Sequence, residues 1–247
     1  MTTFIKKETI QRLLKDVKQI IKNPLTEQGI YYIHDDSEIM KGYAMIVGPS
    51  DTPYFGGFYF FEIKYPIDYP HSPPKVKYCT NSNNIRFNPN LYCCGKVCVS
   101  LLNTWRGDQW TSCQTISTIL LTLCTLLCSD PLLNEPGINK QHKDVENYTS
   151  IIEFSNINIA FCDILNKKKE VYQHFFDNFF PFVKENFNKN YDKLLEFANK
   201  QLSEKFTQPK KVSTDIYRMN VSIDYEFLIN KLQRTKQSID LCSSTPS

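Results

Sequence analysis

The 247-residue sequence predicts an α+β fold, and three observations carry that expectation. A basic stretch near the N-terminus spaces its apolar residues as a helix does. Residues 29 to 78 break into short β-branched and aromatic runs separated by Asp, Gly and Pro, and a helical pattern returns from about Lys143. With 22% charged, 41% hydrophobic and 13% aromatic residues, the composition is that of a globular chain and excludes disordered and collagenous classes.

Taken in order, Ile10, Leu13, Leu14, Val17, Ile20 and Ile21 predict an amphipathic helix that Asn23-Pro24 ends. Residues 1 to 22 hold six Lys and Arg against Glu8 and Asp16, a net +4 where the whole chain is only +3. Such a face is either solvated surface or a dock for an acidic partner. The runs Ile30 to Ile33, Tyr43 to Val47, Phe58 to Lys64 and Lys75 to Tyr78 predict a four-stranded antiparallel meander. Residues 79 to 113 show no sustained period and are too long for an ordinary connection, so function is sought there. Residues 115 to 128 read as a buried central helix. Its longest apolar-looking stretch, Ile116 to Cys128, is 13 residues, against the roughly 18 to 20 needed to cross a bilayer. In the helical tail, Phe175, Phe176, Phe179, Phe180, Phe182 and Phe187 read as core packing, and the last ten residues are expected to fray. The first residues lack the order of a secretory signal. Nine cysteines without paired spacing suggest reduced thiols and a cytoplasmic or nuclear setting, with no membrane. The modest net charge gives no reason to expect nucleic acid.

Cys93, Cys94 and Cys98 lie in the irregular region. No second ligand pair accompanies them and the four histidines are scattered, so no metal is expected. A cysteine hydrolase needs a His base, which these histidines could supply only through a tertiary arrangement.

Four segments occur in order around Cys98: Gly48-Pro-Ser-Asp-Thr-Pro-Tyr-Phe-Gly-Gly-Phe58, Tyr65-Pro-Ile-Asp-Tyr-Pro-His-Ser-Pro-Pro-Lys-Val76, Arg86-Phe-Asn-Pro-Asn90 and Gly95-Lys-Val-Cys-Val-Ser-Leu-Leu102. Together they resemble the ubiquitin-conjugating enzymes, over a stretch from about residue 5 to Gly137. The resemblance implies that family's fold, a four-stranded meander with N-terminal, central and C-terminal helices. Here residues 1–145 would form the core, 146–240 an added helical extension and 241–247 a flexible tail.

The resemblance also implies that Cys98 receives the modifier as a thioester. The family's His-Pro-Asn is Asn88-Pro89-Asn90 here, with Asn90 eight residues before Cys98 as in the family. Asn90 would then either donate to the oxyanion formed under lysine attack or brace the loop, and Asn88 replaces a His that mainly shapes that loop. Glu135, in Asn134-Glu-Pro136, takes the place of an acidic residue beside the incoming lysine, or is simply a turn residue. Eleven residues separate Cys98 from Trp110. This insertion, the Asn-Pro-Asn variant and the C-terminal extension together look like the large members loaded by the second, alternative activating enzyme. By the same resemblance Lys6, Lys7, Lys15 and Lys18 would meet the activating enzyme. His71, Ser112 and Cys113 would face a ligase, with residue types that depart from the common ones. The implied partners are ubiquitin or a ubiquitin-like modifier, the activating enzyme, a ubiquitin ligase and protein substrates. No cofactor is expected, because ATP is used upstream by the activating enzyme. An inactive ubiquitin-binding variant of the same fold is a further alternative, and the presence of Cys98 argues against it.

Overall fold

A computed structural model of the chain describes residues 4–82, 84–166 and 170–243. Helix α1 (Lys7–Lys22) buries Thr9, Leu13, Asp16, Val17 and Ile20, spaced so that successive turns bring them onto one face. Leu14 and Ile21, expected on that face, are 39% and 66% exposed. Two polar residues hold the buried stripe instead, and both are satisfied there. Thr9 donates to the Ile67 carbonyl at 3.2 Å, while Asp16 accepts from Arg12 at 3.0 Å and from the Tyr69 hydroxyl at 2.5 Å.

Strands β1 (Ile30–His34), β2 (Lys41–Val47), β3 (Phe58–Lys64) and β4 (Lys75–Tyr78) pair antiparallel in chain order, which is the meander the sequence predicts. Ile30 sits opposite Ile46, Met45 opposite Phe60 and Ile63 opposite Val76. The Phe-Tyr-Phe-Phe run of β3 lacks alternation because both faces of that strand are covered. Helix α2 (Ile116–Thr125) is capped by Thr115 and Thr118, buries Ile116, Ile119, Leu120 and Leu123, and touches α1 and β1.

The C-terminal segment lies on the sheet. Helix α3 (Val145–Ser155) runs into a π-helical stretch, Asn156–Asp163, and α4 (Glu170–Glu204) follows. Phe161 stacks on Phe58 and Phe175 on Phe60, with ring centroids 5.6 and 4.7 Å apart. Asn186 of α4 donates to the Tyr31 hydroxyl of β1 at 2.9 Å. Phe175, Phe179 and Phe187 are buried, with Phe180 and Phe182 partly so, as the stripe predicts; the side chain of Phe176 lies outside the described residues. Gly57 permits a close approach of this segment, since a Cβ there would stand 1.9 Å from Asn156 Oδ1. That Asn156 accepts from Tyr59 and donates to the Phe55 carbonyl, so it fastens the extension to the β2–β3 connection.

Two features differ from the helical extension and frayed tail expected. A hairpin of β5 (Lys210–Ser213) and β6 (Asn220–Ile223) interrupts the helices. Its strands are four residues long and bury only Val212 and Ile223, too little to register as a period of two in sequence. Helix α5 (Tyr225–Ser243) continues into the segment expected to fray, and residues 244–247 lie outside those described.

Candidate active site

Asn88 sets the shape of the loop before Cys98. It is fully buried, and each end of its amide is used. Its Oδ1 accepts from the Asn90 backbone N–H at 2.9 Å, while its Nδ2 donates to the Leu126 carbonyl at 2.7 Å and to the Tyr54 hydroxyl at 3.2 Å. Asn90 then makes two contacts with Cys98. The Cys98 N–H donates to the Asn90 carbonyl at 2.9 Å, and the Asn90 side-chain amide donates to the Cys98 carbonyl at 2.6 Å. In this state the Asn90 side chain braces the backbone that carries the thiol.

Cys98 is 3% exposed. Its thiol donates to the Thr104 carbonyl at 2.9 Å, so the chain after Cys98 turns back to meet it. The Thr104 hydroxyl fixes that fold by bonding the Val97 and Val99 carbonyls and the Val99 N–H, all at 2.9 to 3.0 Å. Asn103, with φ +56°, turns the chain, and its side chain accepts from the Trp110 N–H at 2.9 Å. Cys94 is exposed and Cys93 half-buried, with burial pushing the Cys93 thiol's pKa up.

Glu135 follows Asn134, whose Nδ2 donates at 3.4 Å to the same Leu126 carbonyl that Asn88 uses. One carbonyl therefore ties the Glu135 turn to the Asn-Pro-Asn loop. The Glu135 carboxylate accepts from the hydroxyl of Tyr217, which lies in the bend between β5 and β6. Tyr217 also covers Arg86, whose guanidinium is 4.9 Å from its ring and 3.3 Å from the ring of Tyr92. Arg86 in turn donates to the carbonyls of Asn88 (3.2 Å) and Pro89 (2.6 Å). Arg86, Tyr92, Thr104 and Tyr217 were missed by sequence reasoning. Arg86 lies inside a quoted motif and could have been found there, whereas Tyr217 carries no local signal.

The remaining predicted residues lie apart from this cluster. Lys7, Lys15 and Lys18 are exposed along α1 and Lys6 just before it, while Arg12 is not part of that face. It donates to the carbonyls of Ser112 (2.6 Å) and Gln114 (2.7 Å) and pairs with Asp16, which holds Tyr69. His71, Ser112 and Cys113 are exposed on the two loops that this network joins. Among the described residues no three His, Cys, Asp or Glu side chains gather as a metal site requires, and no helix is long and apolar enough to cross a membrane.

A profile described as "Ubiquitin-conjugating enzyme" matches residues 12–174, which take in the meander, the Asn-Pro-Asn turn and Cys98 eight residues beyond its last Asn, and the chain belongs to that family. Among its relatives, Ubiquitin-conjugating enzyme E2 Z of Homo sapiens is 40% identical over 164 residues, covering 65% of this chain and 46% of the human protein. The protein of the same name from Xenopus tropicalis is 33% identical over 236 residues, 94% of this chain and 72% of the frog protein. Putative ubiquitin-conjugating enzyme E2 39 of Arabidopsis thaliana is 38% identical over 139 residues, 54% of this chain and 43% of its own length. The chain thus spans under half of the human and Arabidopsis proteins.

Proposed function

We propose that the chain accepts ubiquitin from an activating enzyme as a thioester on Cys98 and transfers it to a substrate lysine. The observation that carries this is the double tie between Asn90 and Cys98, which sets one thiol at the end of the Asn-Pro-Asn loop. In the loading step the Cys98 thiol gives up its proton and its sulfur attacks the thioester carbonyl on the activating enzyme; a new C–S bond forms, the old one breaks, and the activating enzyme's cysteine leaves and takes up a proton. In the second step a lysine amine attacks the same carbon. A C–N bond forms, the C–S bond breaks, and the Cys98 thiol is restored as the amine gives up its proton. Glu135 orients that amine and helps remove the proton, which matters because an ordinary lysine near pKa ~10.4 is mostly protonated at neutral pH. At that step the Asn90 amide either donates to the developing oxyanion or goes on bracing the Cys98 backbone carbonyl.

The exposed lysines of α1 serve the activating enzyme, which is the alternative one for large members, and the loops of His71 and of Ser112–Cys113 serve a ligase. ATP is consumed upstream. The test is incubation with activating enzyme, MgATP and ubiquitin. Wild type gives a conjugate lost on reduction, Cys98→Ser gives a reduction-resistant oxyester, and Cys98→Ala gives none. Loading that survives Cys98→Ala would move the nucleophile to Cys93 or Cys94.

A further inference from the structure

Tyr217 reaches Glu135 from 82 residues downstream, on a bend that several contacts hold in place. The Ile216 N–H donates to Asp144 at 2.8 Å, Asn147 donates to the Ser213 carbonyl at 2.9 Å, and Lys143 pairs with Asp215. The Arg86 N–H donates to the buried Met219 sulfur at 3.3 Å. Tyr217 and Arg218 have φ of +62° and +50°, a conformation that side chains other than glycine and asparagine rarely adopt. Two such residues in succession persist only where the surroundings enforce them, and here they deliver one phenol to one carboxylate. Burial, with the Glu135 carboxylate as the next cause, raises the pKa of Tyr217 well above that of an ordinary phenol, so its proton stays in place to be donated.

We propose that Tyr217 is a positioning residue for lysine attack: its hydroxyl holds one oxygen of Glu135 and so aims the other at the incoming amine. The inference rests on Glu135 acting at that step. A free Glu side chain samples several rotamers, and a bond from the hairpin selects one of them. The C-terminal extension thereby contributes to the chemistry of the core.

The experiment uses the full chain charged with ubiquitin, chased with free lysine after the activating enzyme is quenched. Four proteins are compared: wild type, Tyr217→Phe, Glu135→Ala and the double variant. Tyr217→Phe keeps the ring on Arg86 and removes only the donor. It should slow discharge about tenfold, leave the loading rate unchanged, and add nothing in the Glu135→Ala background, because Tyr217 acts through that carboxylate. The inference fails if Tyr217→Phe discharges at the wild-type rate while Glu135→Ala is slow, if its effect persists without Glu135, or if loading and discharge slow together. Wild-type discharge by Glu135→Ala would instead overturn the role of Glu135 itself.

Discussion

Asn88 occupies the place of a family histidine, yet its amide meets three partners at once: the Asn90 N–H, the Leu126 carbonyl and the Tyr54 hydroxyl. Cutting it to Ala would strand the Asn90 N–H, while the Leu126 carbonyl keeps Asn134 and the Tyr54 hydroxyl keeps the Phe87 carbonyl, and one stranded buried polar group costs about 1–3 kcal/mol. Asn88→Ala is therefore expected to lower the unfolding free energy by about 1–3 kcal/mol, read from the urea midpoint. A stability within ~0.5 kcal/mol of wild type, the range of an ordinary surface change, would show that Asn88 is not the brace. At this scale the sequence was informative wherever the partners were near in the chain. Cys98 and Asn90 are eight residues apart and their relation survives as a spacing. Glu135 sits in a short turn motif, but its contact with Tyr217 spans 82 residues and leaves no pattern to read.

Among the elements, α1 divides its charges. Arg12 is engaged internally with Asp16 and the carbonyls of Ser112 and Gln114, whereas Lys6, Lys7, Lys15 and Lys18 face solvent. Replacing those four lysines with Glu leaves the Arg12 network intact and reverses only the outer field. Such a field mainly accelerates encounter, and salt shortens its reach from about 10 Å at 0.1 M to about 3 Å at 1 M. The quadruple variant should load markedly more slowly at low salt, approach wild type at high salt, and discharge a preformed thioester normally. Equal loading at low salt would make the lysines ordinary solvated surface. The strands of the meander were legible because their apolar runs end at turn formers. The β5–β6 hairpin was not, since Lys-Lys-Val-Ser and Asn-Val-Ser-Ile each bury one residue and have no Asn-Gly or Asp-Gly signal between them.

For the molecule as a whole, the extension is part of the same hydrophobic core as the sheet, which runs from Leu13 to Ile239. The phenylalanine stripe announced burial in the sequence but not its partner, because an apolar face does not specify what covers it. Ending the chain at Asn166 would remove Phe175, Phe179, Val183 and Phe187 and bare Phe60 and Tyr31. At about 1.5–3 kcal/mol per buried large side chain, that loss is comparable to the 5–15 kcal/mol by which domains are stable. The shortened protein should be insoluble or bind a hydrophobic dye without a cooperative melt; a soluble fragment with a sharp thermal transition would show that the sheet needs no such cover. The turn of the chain back to Cys98 has a different consequence, for the protein's chemical lifetime. A thiol's susceptibility to oxidants follows its thiolate character and its exposure. In this structure the sulfur on which activity is proposed to depend bonds the Thr104 carbonyl on a buried residue, whereas Cys94 and Cys113 lie on the surface, so exposure favours reaction at those two thiols over Cys98.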